Sequence, residues 1–505
     1  MFLLSLILVS AVVWLFLKYV YSYWDRKGFP ELKPSIPFGN MTSAAKREKC
    51  FGMTIHDLYL STSKPFVGIY LFFRPTILVR DAKLIKNILT KDFNSFHDRG
   101  VFVDENDPIA GNLFNLTGNK WKSLRTKLTP AFSSGKLKNM FETIEETGKS
   151  LQDYVDETLP EEGAVLEVKE LFSRYAVDII ASVIFGVENN SFKDPNNDFW
   201  KVSQTFVTEK GMITNFVSIA LFLCPGLAKL LPYWITPKKE AMGKFMIEVV
   251  RKTIEHREKY KVNRKDLMQY LIQLRNTGKL EDGPWENETV AENLKSMTIE
   301  QCAAQLFVFF VAGFESTSST MVFCLYELTQ NEELMRKVQA DIAQALEKHG
   351  GKLSYECIQD MKYLELCIME TLRKYPPLPI LNRICTQDYP IPGTDYVIEK
   401  ETPIVLSLMG IQRDPAYFPD PLKFDPERFA GDNKPHEDAY IPFGDGPRAC
   451  IAVRLGRINT KVGIVMMLQK FNLEATVNKE MEFDAVAVTL VPKGGCNLKI
   501  TKRKI

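Results

Sequence analysis

The sequence reads as a mainly α chain with a small β region, and three observations lead there. The run from Ile299 to Leu328 contains no proline and is apolar around nearly its whole circumference, the pattern of a fully buried helix. A second proline-free run, Val453 to Phe471, is amphipathic. Strand-like patterning is confined to Phe66–Val79, Tyr389–Pro403 and Met481–Ile500. With 505 residues, 45% of them hydrophobic, the chain can bury a large core; by length alone it could form about three domains. A formal net charge of +2 gives no sign of a nucleic-acid partner. The nine cysteines are scattered without disulfide-like or metal-like spacing, and all but Cys450 read as small buried hydrophobes in a reducing compartment.

Met1 to Leu17 is nearly pure Leu, Val, Ile, Phe and Ala, and Lys18 is followed by Tyr19, Tyr21, Tyr23 and Trp24. About 20 apolar residues span a bilayer, and Tyr and Trp gather at its interfaces. A cleaved signal peptide would carry its basic residues before the apolar run. Here Lys18, Arg26, Lys27 and Lys33 follow it, which predicts a retained anchor over residues 1–24 with the rest of the chain cytosolic. Pro30, Pro34 and Pro37 then predict a stiff linker over 25–40, leaving 41–505 as the main domain. Phe66 to Val79 reads as a hairpin turning at Arg74-Pro75, followed by a helix from Asp81 to Leu89.

Phe96 to Asn119 is rich in Asn, Asp and Gly and reads as a loop, punctuated by Phe102, Val103, Phe114 and Leu116. Trp121 and Arg125 lie four apart, on one helical face, where a simple cation–π contact is the plain reading. Phe206 to Ile235 is apolar but broken by Pro225, Gly226 and Pro232, so it reads either as core helices with a turn or as an interfacial flap. Glu255 to Lys265 is densely charged and reads as a solvated helix or link.

Thr298 opens the long apolar helix. Its centre is Ala312-Gly313-Phe314-Glu315-Ser316-Thr317. A buried carboxylate is costly without a partner or a task. A mid-helix glycine costs about 1 kcal/mol against alanine, which suggests that something flat approaches Gly313 closely. Bending of the helix by Ser or Thr back-bonding is the plainer alternative. Glu370 and Arg373 sit one turn apart on another helix, with Pro426-Glu427-Arg428-Phe429 downstream.

Near the C-terminus, Phe443-Gly444-Asp445-Gly446-Pro447-Arg448-Ala449-Cys450-Ile451-Ala452 places one cysteine in a tight glycine loop before a helix. Glycine allows sharp turns and close approach, and backbone N–H groups with Arg448 beside it would favour a thiolate. The string resembles the haem loop of the cytochrome P-450 superfamily, Phe-x-x-Gly-x-Arg-x-Cys-x-Gly, departing only at the last position, where Ala452 stands. Ala312 to Thr317 resembles the same family's oxygen-activating stretch, with Ser316 where Thr is usual. Glu370-x-x-Arg373 and the Trp121/Arg125 pair match two further motifs, in the expected order. Asn119 to Arg125 and Leu128 to Lys136 are most similar to insect microsomal family-six enzymes, a group associated with xenobiotic metabolism; vertebrate family-three enzymes come second.

The resemblance implies the P-450 fold, one mainly helical domain with a small β region behind a single N-terminal membrane helix. It implies haem b with Cys450 as the axial thiolate ligand of the iron. Trp121, Arg125, Arg383, Phe443 and Arg448 would help to hold the haem. Glu315, Ser316 and Thr317 would deliver protons. Phe102, Val103, Phe114, Val311, Ala312, Ile380, Leu381 and Val488 would line the pocket for a small lipophilic substrate. Glu370, Arg373 and Arg428 would form a buried structural cluster. No dinucleotide or flavin motif is present, so the family's NADPH-cytochrome P-450 reductase would supply electrons, with cytochrome b5 as a second donor. Lys122, Lys127, Lys136, Arg454 and Arg457 are candidates for docking it. The expected setting is the endoplasmic reticulum bilayer. A haem-thiolate isomerase that needs no electrons and a haem sensor without turnover are the competing classes; retention of Glu315-Ser316 argues against the first. The substrate, whether foreign compound or endogenous hormone or lipid, is not written in the residues.

Overall fold

The computed structural model describes residues 2–101, 103, 107–208, 237–278, 296–431, 436–477 and 480–503. The elements that frame the site are α1 (Phe2–Val20), β1 (Phe66–Leu71), β2 (Arg74–Val79), α2 (Gly118–Leu128), α3 (Ser134–Thr158), β3 (Ala164–Glu167), α4 (Val168–Ile179), α5 (Ile299–Thr329), α6 (Lys362–Lys374), β4 (Ile380–Ile384), β5 (Pro403–Ser407), α7 (Val453–Lys470), β6 (Phe471–Ala475) and β7 (Asn497–Lys502). Helices dominate and the strands form small sheets, as the patterning predicts. Beyond its first three residues, the apolar stretch Phe206–Ile235 lies outside the described residues, as does Phe102.

The spine is α5. Thr298 and Gln301 close a capping box at its start: the Thr298 hydroxyl accepts from the Gln301 N–H at 3.1 Å, and the Gln301 side chain accepts from the Thr298 N–H at 3.0 Å. Phe310, Phe314, Met321 and Leu325 of α5 share one core with Tyr175 of α4 and Ile464 and Val465 of α7. Gly313 has a packing reason as well. A Cβ there would meet Ile180 Cδ1 at 3.0 Å, so its size serves packing against the turn after α4. The charged stretch Glu255–Lys265 is also less solvated than its composition implies. Arg257 is buried and forms a two-pronged pair with Asp266 at 2.8 and 2.6 Å.

A four-stranded sheet runs in the order β1-β2-β5-β4, and β3, β7 and β6 make a second, three-stranded one. Met481–Ile500 closes on itself at the antiparallel bridge between Phe483 and Pro492, and its last residues enter β7, which pairs with β3 and β6. In the first hairpin Leu71 faces Arg74, so the turn is Phe72-Phe73 and Arg74-Pro75 opens β2. Proline is tolerated at a strand start because it withholds only one donor there.

The N-terminal boundary also differs from the reading. α1 meets the body through Leu17 and Val20, and most of its other apolar side chains are exposed, Leu4 at 76% and Trp14 at 55%. Tyr21, Trp24 and Phe29 are buried in the core of the four-stranded sheet. Trp24 lies over Gly68, where a Cβ would come within 2.5 Å of the indole, and its Nε1–H donates to the Ile69 carbonyl at 3.1 Å. The proline-rich segment runs alongside β1, with Leu32 N–H donating to Gly68 O at 2.9 Å and Gly68 N–H to Pro30 O at 2.7 Å. Residues 21–39 thus belong to the body instead of linking to it.

Behind the cysteine loop, α6 buries Glu370 and Arg373 completely. Arg373 donates to Glu370 through Nε at 2.6 Å and Nη2 at 2.8 Å, and to the carbonyls of Gln412 and Pro421, each at 2.8 Å. Arg428 Nε lies 3.4 Å from Glu370, which also accepts the Asp425 N–H at 2.9 Å. Arg373→Ala leaves a buried carboxylate without its partner, so we expect a loss of about 3–5 kcal/mol and a collapse in folded yield; normal yield and thermal midpoint would show the pair to be dispensable. Trp24→Ala should cost about 3–5 kcal/mol by cavity formation. Removing residues 1–20 should leave the thermal midpoint nearly unchanged, whereas removing 1–24 should lower it; equal midpoints for the two truncations would contradict the observed boundary.

Candidate functional site

A cavity of about 1200 Å³ lies between α5, the cysteine loop and the sheet. Its wall is largely apolar, with Leu113, Phe132, Ile179, Ile184, Trp200 and Phe309 among its residues. At one end stands Cys450. It is exposed, whereas the other cysteines among the described residues are buried, and the space it faces is this cavity.

The loop that presents Cys450 is shaped by its glycines. Gly444 and Gly446 have φ of +72° and +68°, and a Cβ on Gly446 would meet the Leu89 carbonyl oxygen at 1.9 Å. Only glycine fits there. The Cys450 N–H donates to the Phe443 carbonyl at 2.9 Å, closing the loop. Ala452 begins α7 with φ −100°, an ordinary conformation, so the methyl that replaces the family's glycine causes no backbone strain. Burial pushes the Cys450 thiol up from its ordinary value, while the Ala452 N–H, Arg125 and Arg99 pull it down. The sequence reading gave that cationic part to Arg448. Its guanidinium is turned elsewhere: Nε donates to His97 O at 2.8 Å and Nη2 to Leu116 O at 2.7 Å, with Asp98 at 3.3 Å, and the group lies 4.1 Å over the Trp121 ring. Trp121 therefore takes its cation from Arg448 and not from Arg125.

Arg99, Arg125, Arg383 and Arg448 converge beside the cysteine. The Arg99 guanidinium lies 4.1 Å over the Phe114 ring, and its Nε and Nη1 are buried without a hydrogen-bond partner, as is Nε of Arg383. Burial, then the neighbouring Arg383 and Arg448, hold Arg99 well below its ordinary value. Burial likewise lowers Arg383 and Arg448, each to about 10. Unpaired buried guanidinium donors in a cluster of like charge call for an anion. A thiol on the same wall suits a thiolate-bound metal. A haem, an iron porphyrin bearing carboxylates, satisfies both demands, so the residues present fit it.

Across the cavity, α5 presents Val311, Ala312, Glu315, Ser316 and Thr317. The Ser316 hydroxyl donates to the Ala312 carbonyl at 2.6 Å, the back-bond anticipated as the plainer alternative. Glu315 is paired with Lys169 Nζ at 2.8 Å and accepts the Ser319 hydroxyl at 3.1 Å. Lys169 also donates to Ser173 at 3.0 Å and Ser318 at 2.8 Å. Glu167, Glu170 and Ser173 also line the cavity and add to its polar lining.

The other expected pocket residues divide. Phe114, Leu381 and Val488 line the cavity, as do Trp121, Arg125, Phe443 and Arg448. Val103 and Ile380 do not. Ile380 and Leu381 are neighbours on β4, so their side chains leave opposite faces of the strand, and Ile380 lines a separate small pocket of about 30 Å³ together with Arg383. Of the expected docking residues, Lys122 and Arg454 are exposed, but Lys136 lies 4.8 Å over the Tyr270 ring and Arg457 pairs with Glu365 at 3.4 Å. Arg99 and Lys169 were not anticipated. A single arginine in a loop carries no periodic signal. Lys169 does carry one: a cation in the first turn of a helix opposes the helix dipole and implies a partner.

The family model for cytochrome P450 matches residues 30–498. Probable cytochrome P450 6d5 of Drosophila melanogaster is 49% identical over 506 residues, covering 99% of each chain. Cytochrome P450 6d1 of Musca domestica is 47% identical over 97% of this chain and 98% of its own, and cytochrome P450 6k1 of Blattella germanica is 40% identical over 93% and 90%. The chain belongs to the cytochrome P450 family and is a haem-thiolate monooxygenase.

Proposed function

We propose that this enzyme is a microsomal monooxygenase acting on lipophilic foreign compounds, inserting one atom of O2 and releasing the other as water. Its two electrons come from NADPH through a flavoprotein reductase, with cytochrome b5 as a second donor. The observation that carries this reading is the cavity of about 1200 Å³, apolar over most of its wall, with Cys450 and the polar side chains of Glu315, Ser316 and Thr317 in its lining. The haem would take up the part of this space beside Cys450, and the apolar wall that remains suits a lipophilic substrate.

In this reading Cys450 Sγ is the iron ligand, Arg99 and Arg125 hold the haem carboxylates, and Arg383 backs them. Arg448 fixes Trp121 and the 96–119 loop instead of contacting the thiolate. The bound haem supplies O2 activation. The chain's own residues orient, exclude and conduct. Leu113, Phe114, Phe309, Val311, Ala312 and Leu381 exclude water and hold the substrate by apolar contact. Glu315, held by Lys169, relays protons, and the Ser316 and Thr317 hydroxyls pass them into the cavity. Residues 1–20 anchor the enzyme in the endoplasmic reticulum membrane. Lys122, Lys127 and Arg454 meet the acidic face of the reductase.

Cys450→Ser should abolish the thiolate signature of the reduced carbon-monoxide difference spectrum; a variant that keeps it would refute the ligand assignment. For Ser316→Ala, NADPH consumption should continue while product per NADPH falls, by roughly 10²-fold if Ser316 alone positions the proton and by less where Thr317 substitutes, with peroxide rising. Ser316→Thr should restore or improve the ratio. Equal ratios in Ser316→Ala and the parent would remove Ser316 from proton delivery. Turnover of a broad panel of foreign compounds with reductase tests the substrate class; activity confined to one endogenous lipid would overturn it.

A further inference from the structure

We propose that Gln305 of α5 is a positioning residue for substrate selection: its side-chain amide clasps the 109–115 segment and sets how far Leu113 and Phe114 stand from α5; this rests on the reading of the cavity as the site of a lipophilic substrate. Gln305 is buried, between the buried apolar neighbours Ala304 and Leu306. A buried amide is costly unless each of its groups is met. Here each is. Oε1 accepts the Leu113 N–H at 2.8 Å, and Nε2 donates to the Gly111 carbonyl and to the Gln301 carbonyl, one turn back on α5, each at 3.1 Å. A backbone N–H can only donate and a carbonyl only accept, so a single orientation of the amide fits. It meets the segment as a neighbouring strand would, through the carbonyl of one residue and the N–H of the next but one.

The segment it holds is stiff within itself. Asn112 Nδ2 donates to the Ile109 carbonyl at 3.1 Å, and Asn112 Oδ1 accepts the N–H groups of Phe114 and Asn115, each at 3.1 Å. These bonds knit 109–115 into one unit without a helix or strand. At one end Arg448 Nη1 donates to the Phe114 carbonyl at 3.4 Å, and the Arg99 guanidinium covers the Phe114 ring at 4.1 Å. A stiff unit tied at that end alone could pivot about it; the Gln305 clasp fixes the other side. Ile109 adds an apolar contact, since a Cβ on Gly243 would lie 3.5 Å from its Cδ1, but apolar contact is non-directional. Satisfied polar bonds specify one arrangement. Leu113 and Phe114 line the cavity, and so do Phe309 and Ala312, one and about two turns along α5 from Gln305. Gln305 itself lies behind that wall. It selects without touching: the clasp fixes the gap between the segment and α5, and with it which carbon of a bound molecule faces the Cys450 end of the cavity.

The test uses the full-length haem-loaded enzyme with reductase and NADPH, and two neutral probes that offer several oxidisable carbons, progesterone and n-hexylbenzene. The readout is the ratio among the hydroxylated products of each. Gln305→Leu keeps the bulk and removes both bonds to the segment; the ratio should shift several-fold, and KM should rise by more than kcat falls. Gln305→Glu is the second variant. Burial pushes a carboxyl toward its neutral form. Protonated, the introduced group can donate to the Gly111 carbonyl and accept the Leu113 N–H as the amide does; ionised, it opposes that carbonyl. Its product ratio should therefore match the parent's at about pH 6 and approach that of Gln305→Leu at about pH 9, while the parent's ratio stays constant. A Gln305→Glu ratio that does not move with pH, or parent-like ratios in both variants, overturns the proposal. A lowered thermal midpoint with unchanged ratios would show the clasp to be structural only and overturn it too. A parent that oxidises neither probe overturns the lipophilic-substrate reading and the role of Gln305 with it.

Discussion

The site depends on where one guanidinium goes. Arg448 leaves the cysteine loop and donates to the carbonyls of His97 and Leu116, pairs with Asp98, and stacks on Trp121 of α2. Three chain segments, distant in sequence, are tied at one point. Among the described residues around Arg99 and Phe114 there is no helix or extended strand, so these bonds, together with the Asp98–Ile384 bridge and the Asn382 amide on the Arg99 carbonyl, set the position of both. The stack on Trp121 likewise fixes the face of α2 from which Arg125 projects. An arginine suits this work because its planar fork serves several acceptors at once, which a lysine cannot.

The same arrangement has an energetic consequence. Arg99, Arg125, Arg383 and Arg448 lie close enough that their charges oppose one another, and buried donors of Arg99 and Arg383 have no partner within the chain. Such a cluster destabilises the fold until an anion joins it. A ligand that binds only the folded state stabilises it by mass action, so haem uptake and folding are coupled here by electrostatics as well as by thiolate ligation. The ion triad of Glu370, Arg373 and Arg428 differs in kind. It is closed within the chain, with both carboxylate oxygens and most guanidinium donors satisfied, and it needs nothing from outside.

What could be read in the sequence was what local chemistry dictates. Positive-φ glycines around Cys450, the apolar circumference of α5, its capping threonine and the Glu370–Arg373 spacing are all properties of short segments. The misreadings arose where a distant segment decides. Arg448 ignores the nearby thiol because the carbonyls of a loop some 350 positions away bind it more fully. Phe72 and Phe73 turn the hairpin in place of Arg74-Pro75, since strand register is a property of the pair and not of either strand. Tyr21 and Trp24 look like an interfacial belt in sequence, yet they pack into the sheet, because Gly68 leaves room for an indole.

Charge is distributed unevenly across the cavity, and α5 accounts for the division. The end near Cys450 is cationic. A carboxylate set freely in that space would be drawn to the arginines and would cancel part of their field. Glu315 is held away from them by Lys169, at 2.8 Å, and by the Ser319 hydroxyl. The pair is locally neutral, so the arginine field stays available to an anionic ligand. Lys169 also donates to Ser173 and Ser318, and Glu167, Glu170 and Ser173 add to the polar lining of the cavity. Buried ion pairs add little stability on their own, because desolvation offsets attraction. An ion pair on the helix that faces the reacting space is therefore better explained by placement: Lys169 fixes the Glu315 carboxylate in the cavity wall, one residue from the Ser316 hydroxyl.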